Sequence, residues 1–325
     1  MRAMRTIYHV RIWPQGRIRV GDRGLGEEGI SRWIRADTLF SALCHAMARV
    51  WGDDVLADWL AGFRPGEAPL RLTSGFPTVD GVDFVPRPLL PAPGFDDPAV
   101  RATWAKEVKQ TELVRTDTFL SWLRQQPIDY PRLKEDRALL KEAFAEAVVP
   151  RVALDRLGRG SALYHTAALT VNTERRAGFH LWLEATADSW QLVEPALVWL
   201  AEEGLGGKRT LGMGRFCFTV EPCTPEWQQA FSGAGSVYCV LSPFVPHPSE
   251  LPELLAGSRY ILQQRGGWAA SGGWSARIRP YRVLAEGSVF SQRPVGRLQN
   301  VTPPGAPHPV YRYAIAMAAT GEAQT

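Results

Sequence analysis

The first residues of the chain show two hydrophobic periods in succession. From Arg5 to Pro14 apolar and polar residues alternate, with Tyr8, Val10 and Ile12 on one face, and this period of two predicts a β-strand. From about Arg35 to Trp51 apolar residues recur every three or four positions instead, which predicts an amphipathic helix with one buried face. The chain therefore begins with a strand that is followed, after a polar loop, by a helix.

The middle of the chain is less regular. Mixed-charge helical patterns run over about 98–125 and 132–147, and we interpret 63–149 as an insertion. Beyond it the periodicity returns and predicts strands at 151–154, 162–171, 178–185 and 215–221 and a helix at 190–203. A Gly-rich segment, 204–214, joins that helix to the last of these strands.

Together these elements predict an α+β protein. The order strand, helix, two strands, helix, strand is that of the ferredoxin-like, or RRM-like, βαββαβ unit, and we assign 1–225 to one such domain with its helical insertion at about 63–149. Prolines and glycines at 222–235 suggest a linker. Strand patterns at 236–241, 259–264, 275–285 and 311–318, with a short helix at about 250–256, then predict a second, degraded copy over 236–325.

Composition is typical of a folded protein with sizeable cores. Of 325 residues 45% are hydrophobic and 22% are charged, a balance that disordered chains do not have. No apolar run is long enough to cross a bilayer, and no secretory signal follows the first residues, so we expect a cytoplasmic protein. The four cysteines lack CxxC spacing, and we expect reduced thiols, no metal and no cofactor.

Positive charge is carried mainly by arginine. The net charge is only +4, but the 37 basic residues include 32 arginines, eight of them in 259–325 against two glutamates. The guanidinium fork binds phosphate with paired hydrogen bonds and stacks on bases, so this distribution favours RNA as a ligand. A general preference for arginine over lysine would produce the same composition and remains an alternative.

The Gly-rich segment contains five glycines around a dibasic centre, Lys208 and Arg209. A Walker A loop would need Gly at position 202, where the chain has Glu202, and Ser or Thr at position 209, where it has Arg209. Such a loop would also precede a helix, whereas this one follows a helix. A dinucleotide-binding motif fails for similar reasons. Glycines allow close approach of the backbone to a ligand and can direct N–H groups at phosphate. We therefore predict an anion-binding loop, with a simple helix-to-strand turn as the alternative.

Several segments resemble one known family. The run from Gly204 to Phe216 resembles the glycine-rich loop of the RAMP superfamily, the repeat-associated RNA-binding proteins of CRISPR systems, and 35–43 resembles the first-helix signature of its type III-A member. Further similar segments are 151–164, 284–290 and 308–313. They are spread along the chain in the order in which that member carries them.

This resemblance implies a function. It predicts two RRM-like domains that hold the repeat-derived 5′ tag of the CRISPR RNA (crRNA) without catalysing a reaction. It also predicts a neighbour on each side, namely the large signature subunit with a polymerase-like domain and a backbone RAMP subunit, and no contact with a membrane. Single-stranded RNA is held by cationic contacts to its backbone and by stacking on its bases.

The predicted RNA contacts combine the loop with arginines from other segments. They are Arg35, Arg156, Arg159, Gly204, Gly206, Gly207, Lys208, Arg209, Gly212, Gly214, Arg215, Arg265 and Arg277. Of these, Gly206 and Gly207 are expected to place backbone N–H groups against phosphate.

Two alternatives stay open. Some RAMP relatives cut RNA without a metal by using a histidine as general acid or base, and His45 lies about two helical turns beyond Asp37. We predict that Asp37 is structural and orients an arginine by hydrogen bonds. The other alternative is a scaffold protein that does not touch RNA.

Overall fold

The structure is a computed structural model, and it describes residues 4–21, 31–154, 161–271 and 273–321. The α-helices are α1 (Ala36–Trp51), α2 (Asp53–Ala61), α3 (Pro98–Gln110), α4 (Thr116–Leu123), α5 (Tyr130–Ala143), α6 (Ala187–Glu203) and α7 (Pro225–Ser232). Short 3₁₀ turns are found at Arg209–Leu211, Pro248–Glu250 and Glu253–Leu255.

The strands belong to one large sheet and several small ones. They are β1 (Arg5–Pro14), β2 (Leu70–Leu72), β3 (Phe76–Val79), β4 (Val82–Pro86), β5 (Leu113–Arg115), β6 (Phe144–Leu154), β7 (Ser161–Val171), β8 (Gly178–Thr186), β9 (Phe216–Pro222), β10 (Val237–Val240), β11 (Leu262–Arg265), β12 (Trp268–Ser271), β13 (Trp274–Arg277), β14 (Tyr281–Leu284), β15 (Val289–Phe290), β16 (Gln299–Asn300), β17 (Tyr311–Arg312) and β18 (Ala318–Gly321). Where these strands pair with one another, they run antiparallel.

The large sheet has the order β5-β4-β3-β8-β1-β9, with β2 also paired to β8. Helices α1 and α6 pack together, and their apolar faces meet one face of this sheet, where Val10, Leu39 and Leu197 surround a common point. This follows from the alternation in β1, because Val10 and Ile12 are nearly fully buried and a strand presents alternate residues to one face. The protein is thus a mixed α/β fold with antiparallel sheets.

The sequence predicts the strand at 162–171 correctly, since β7 spans Ser161–Val171, but it assigns this strand to the wrong sheet. The periodicity predicts 162–171 as a strand of the main sheet, whereas β6 and β7 pair with each other from Phe144↔Val171 to Leu154↔Ser161 and form a separate hairpin. The place beside β8 is taken by β2 and β3, which fall inside the predicted insertion. These strands have only three and four residues, too few to show a clear period.

The second half of the chain, from β10 to β18, contains shorter elements than expected. Strand β10 lies between β15 and β18, while β11 pairs with β14. The helix predicted at about 250–256 is replaced by the 3₁₀ turns at Pro248–Glu250 and Glu253–Leu255. The strand predicted at 275–285 is interrupted between β13 and β14, where Pro280 has no N–H to donate to a neighbouring strand.

The two halves share a core. Helix α7 forms in the segment predicted as a linker, and it packs against β18 near the C-terminal end. One buried apolar cluster includes Leu39 from α1, Trp227 from α7 and Met317 from the second half. Apolar contact therefore holds the halves together. Among the helices that the structure describes, none combines the length and hydrophobicity that a membrane span requires.

Candidate nucleic-acid interface

The Gly-rich loop follows α6 and is bonded to the segment just after β1. Gly207 N–H donates to the Arg19 carbonyl at 2.9 Å, and Gly214 N–H donates to the Arg17 carbonyl at 2.9 Å. Within the loop, Leu205 N–H donates to the Gly214 carbonyl at 2.8 Å. The loop is therefore held in place by backbone hydrogen bonds. The Gly207 N–H, which the sequence predicts to contact phosphate, donates to the Arg19 carbonyl in this structure.

Three glycines allow this close backbone packing. Gly204, Gly206 and Gly214 have φ of 96°, 94° and 86°, a region that other residues rarely adopt. A Cβ atom on Gly206 would lie 2.3 Å from the Arg19 carbonyl oxygen, and one on Gly214 would lie 2.1 Å from the Leu205 carbonyl oxygen. These glycines shape the loop, while a Cβ on Gly212 would meet no atom within 4 Å.

The loop and its neighbouring segment bring basic side chains together. We call the basic loop surface the set Arg17, Arg19, Lys208, Arg209 and Arg215. All five are exposed or half-buried. Arg17 and Arg19 were not among the contacts predicted from the sequence. The signal was present, because they alternate with Ile18 and Val20, which are nearly fully buried, and so continue the strand period beyond β1.

The charges on the basic loop surface are only partly neutralised. Arg209 lies 3.8 Å from Glu203, and Arg215 pairs with Glu202, whose side chain is 75% exposed; such exposed pairs are weak and readily exchanged. Within the described ranges, neither Arg17 nor Arg19 forms an ion pair. The buried Nε of Arg19 has no hydrogen-bond partner there either, and these features favour an anionic ligand.

A row of polar residues on α1 ends near this surface at His45, where the charge of Arg209 acts. Asp37, Ser41 and His45 are spaced by four residues and so share a helix face. Arg312, from the second half of the chain, donates to Ser41 Oγ. The His45 ring packs edge-on against Trp199, with centroids 5.8 Å apart. Burial, together with the charges of Arg209 and Arg49, lowers the pKa of His45, which favours an uncharged ring at neutral pH.

Two predicted RNA contacts lie in the interior. Arg265 donates from Nε to Asp37 Oδ2 at 3.1 Å and from Nη2 to Asp37 Oδ1 at 2.9 Å, so the prediction that Asp37 orients an arginine is confirmed. Arg35 pairs with Glu286 and lies 4.7 Å from the centroid of the Trp33 ring. Each arginine is 5% exposed. Both are drawn into the interior because the carboxylates of Asp37 and Glu286 are buried there, and a buried carboxylate requires a cationic partner.

The second half of the chain is similar to a known domain. Residues 234–320 match the family described as the CRISPR Csm4 C-terminal domain. A protein of Mycobacterium tuberculosis (strain CDC 1551 / Oshkosh), described as CRISPR system Cms protein Csm4, is 30% identical over 301 residues, which make up 92% of this chain and 92% of that protein. The chain belongs to the Csm4 family. A relative from Thermococcus onnurineus (strain NA1) with the same description is 28% identical over 291 residues, 86% of this chain and 89% of that protein.

Solved structures that contain Csm4 share the fold. The chain aligns with one from the Csm3–Csm4 subcomplex of the type III-A CRISPR-Cas interference complex at a TM-score of 0.65 and 14% identity, over 96% of this chain and 98% of the other. It aligns with one from the Csm1–Csm4 cassette in complex with pppApA at a TM-score of 0.63 and 19% identity, over 97% of both chains. These likenesses show the same fold, and the family match and the relatives confirm the resemblance of the chain to Csm4.

The remaining predicted contacts of this Csm4-family chain lie away from the loop or outside the described residues. Arg277 is exposed and lies 5.6 Å from the centroid of the Trp268 ring, which is itself 57% exposed. The two residues face each other across β12 and β13 and could stack with a base. Arg156 and Arg159, in the connection between β6 and β7, lie outside the described residues.

Proposed function

We propose that this chain is the non-catalytic, RNA-binding Csm4 subunit of a type III-A CRISPR interference complex, and that it holds the repeat-derived 5′ tag of the crRNA. The observation that carries the proposal is the basic loop surface. There, two arginines without ion-pair partners among the described residues lie on the segment after β1, which is hydrogen-bonded to a loop whose shape is fixed by glycines. A short single strand with its phosphates along this surface and its bases against aromatic side chains fits the chemistry of the site.

The proposed assembly places the chain between two partners. Relatives of the same fold are named in a Csm1–Csm4 cassette and in a Csm3–Csm4 subcomplex. We therefore propose that this chain bridges a large signature subunit of the Csm1 type and a backbone RAMP subunit of the Csm3 type. The shared core of its two halves would keep the surfaces for these partners at a fixed distance.

We also propose that the two halves are two ferredoxin-like domains. In the first half, β9, β1, β8 and the pair β2/β3 are neighbours in that order, and α1 and α6 provide the crossovers, as in a βαββαβ unit. In the second half, β18, β10 and β15 are neighbours, and Arg259 bridges to Val289 ahead of the pair β11 and β14. The same strand order with shorter helices supports a degraded copy.

RNA binding tests the proposed role of the basic loop surface. Labelled RNA with the 5′ tag and a scrambled RNA are titrated with the full chain over a series of salt concentrations. We expect the double variant R17A/R19A to bind the tag RNA more weakly. We also expect its dependence on salt to flatten by about 0.7 in the logarithmic slope for each phosphate that the variant no longer neutralises.

A matched control removes the same charge elsewhere. The double variant R64A/R101A takes two exposed arginines from outside the basic loop surface, and its affinity and salt slope should equal those of the unchanged protein. Equal binding by R17A/R19A would refute the assignment. If the isolated chain binds neither RNA, the same variants are compared in the complex assembled with the two partner subunits.

The alternative function is a metal-independent endoribonuclease that uses His45. It is favoured by the position of His45 beside the basic loop surface, close enough to Arg209 for that charge to lower the pKa of His45. Our proposal predicts that tag RNA stays intact when incubated with the chain in EDTA. Cleavage that persists in EDTA and is lost in His45→Ala would replace the proposal by the nuclease.

A further inference from the structure

We infer that His9, Asp83 and His180 form a binding site for one divalent transition-metal ion of the zinc class. The three residues come from β1, β4 and β8 and lie on the face of the large sheet that points away from α1 and α6. They are far apart in sequence and none of them belongs to a cysteine-containing motif. No local pattern in the sequence indicates a metal here, and only the pairing of the strands brings these residues together.

Two of the three distances between the ligand atoms match a shared ion, and the third is within 4.8 Å. His9 Nε2 lies 3.2 Å from His180 Nδ1 and 3.6 Å from Asp83 Oδ2, and one ligand atom from each residue lies within 4.8 Å of the others. Metal–ligand bonds of about 2.0–2.2 Å in tetrahedral geometry separate neighbouring ligand atoms by roughly 3.2–3.6 Å. Small side-chain rotations would suffice to surround one ion.

The hydrogen bonds of His180 leave the required lone pair. Its Nε2 lies 2.8 Å from the Phe84 carbonyl oxygen; a carbonyl only accepts, so Nε2 carries the proton. The Nδ1 atom is then unprotonated and faces His9. Metal-binding histidines commonly donate their other ring N–H to a backbone carbonyl in this way, which fixes the orientation of the ring.

The carboxylate is fixed and the local charge suits a cation. Arg11 Nη2 donates to Asp83 Oδ2 at 2.9 Å, and Arg11 Nη1 donates to Glu221 Oε2 at 2.6 Å. One guanidinium thus serves two carboxylates, and together with neutral imidazoles the group has one net negative charge. Arg11 orients Asp83 as a partner of the ligand, while Glu221 offsets the charge of Arg11.

The ligand types select the class of metal. Two imidazoles and one carboxylate suit zinc and its neighbours, whereas magnesium and calcium prefer oxygen ligands. His180 is fully buried and His9 is 6% exposed. An ion here would connect β4 to the centre of the large sheet and so stabilise the fold, with its fourth position left to water.

The competing arrangement is a hydrogen bond without a metal. At 3.2 Å, His9 Nε2–H could donate to His180 Nδ1. This requires a proton on His9 Nε2, whereas binding of a metal requires that nitrogen to be free. The two arrangements therefore exclude each other and predict opposite results when metal is added.

Metal titration of the full chain separates these arrangements. Chain freed of metal with a chelator is titrated with Co²⁺, whose visible absorption reports coordination, and Zn²⁺ is then added. We expect about one equivalent of Co²⁺ to bind, Zn²⁺ to displace it, and Zn²⁺ to raise the melting temperature. His9→Gln and Asp83→Asn should each lower the affinity at least tenfold. His45→Gln and His308→Gln, which change histidines outside the cluster, should bind as the unchanged chain does.

The unchanged chain alone can refute the site. If it takes up no stoichiometric Co²⁺ or Zn²⁺ and its melting temperature does not move, the three residues form only a hydrogen-bonded group. Equal affinity in His9→Gln would place the ion elsewhere and would overturn the inference as well. Circular dichroism and a single thermal transition establish that each variant is folded, and the result for the unchanged chain does not depend on the variants.

Discussion

At the scale of single residues, buried carboxylates determine which arginines stay inside the protein. Asp37 accepts hydrogen bonds from Arg265 and from the Tyr281 hydroxyl, the latter at 2.9 Å. Glu286 pairs with Arg35 and accepts a hydrogen bond from Ser74 Oγ at 2.6 Å. Both networks join the two halves of the chain. Arg17, which forms no ion pair with the residues that the structure describes, is exposed to solvent instead.

Removal of Arg265 tests the first network. Arg265→Ala would remove the cation that is hydrogen-bonded to the buried Asp37 carboxylate, and we expect the free energy of unfolding to fall by about 3–5 kcal/mol. The double variant D37A/R265M should lose less than the single variant, since it leaves no unpaired charge. Denaturant unfolding measures both. Arg277→Ala, at an exposed position, serves as the control and should change stability by at most about 0.5 kcal/mol.

The glycines of the loop allow a second test at this scale. Gly214→Ala would put a Cβ atom 2.1 Å from a backbone oxygen at φ 86°, and the loop would have to move. Gly212→Ala has a similar φ of 76° but open space around it, so only the backbone strain of about 1–2 kcal/mol should remain. In thermal unfolding, the melting temperature of Gly214→Ala should lie well below that of Gly212→Ala. The opposite ranking would show that the packing described for the loop is wrong.

At the scale of elements, the length of an element decided how well it could be predicted. Strand β1 and helix α1 are long enough for their hydrophobic period to repeat several times. The structure has them at Arg5–Pro14 and Ala36–Trp51, within a residue of the predicted bounds. Strands β2 and β3 are too short for this. They are recognised as part of the large sheet only through their pairing with β8, a contact between residues about 100 positions apart.

The hairpin of β6 and β7 gives a prediction for an element. Val148 faces Ala167 across it, and the side chains of Val148 and Val152 are 66% and 56% exposed, so these two apolar side chains bury little surface. Replacement of residues 149–166 by Asn-Gly, a two-residue turn that suits such a hairpin, should leave the melting temperature within a few degrees. Differential scanning fluorimetry measures it. A collapse of the fold would mean that the outer hairpin supports the core.

At the scale of the whole molecule, the shared core makes the two halves interdependent. The buried cluster that contains Leu39 also contains Met317, and buried ion pairs from Arg35 and Arg265 cross between the halves. A half expressed alone would expose apolar surface and leave buried charges unpaired, both of which disfavour folding. Such a core also suits the proposed role of a bridge between two partner subunits.

Expression of the halves tests this interdependence. Residues 1–232 and 233–325, produced separately, should be poorly soluble or should lack a cooperative thermal transition. The intact chain should unfold in one calorimetric transition. Two well-separated transitions in the intact chain, or a cooperatively folded half, would contradict the shared core. Circular dichroism of the separate halves and calorimetry of the intact chain are sufficient for this comparison.

The sequence alone was sufficient to derive three features: the hydrophobic period of the long elements, the Gly-rich dibasic loop and the membership of the family. These depend on residues close together in the chain, where local backbone geometry dictates the pattern. Folding in three dimensions determines which arginines are buried, which segment pairs with β8, and that His9, Asp83 and His180 meet. Each of these depends on contacts across the chain, such as that between Asp37 and Arg265. No local pattern records such contacts, because burial is a property of the packed molecule.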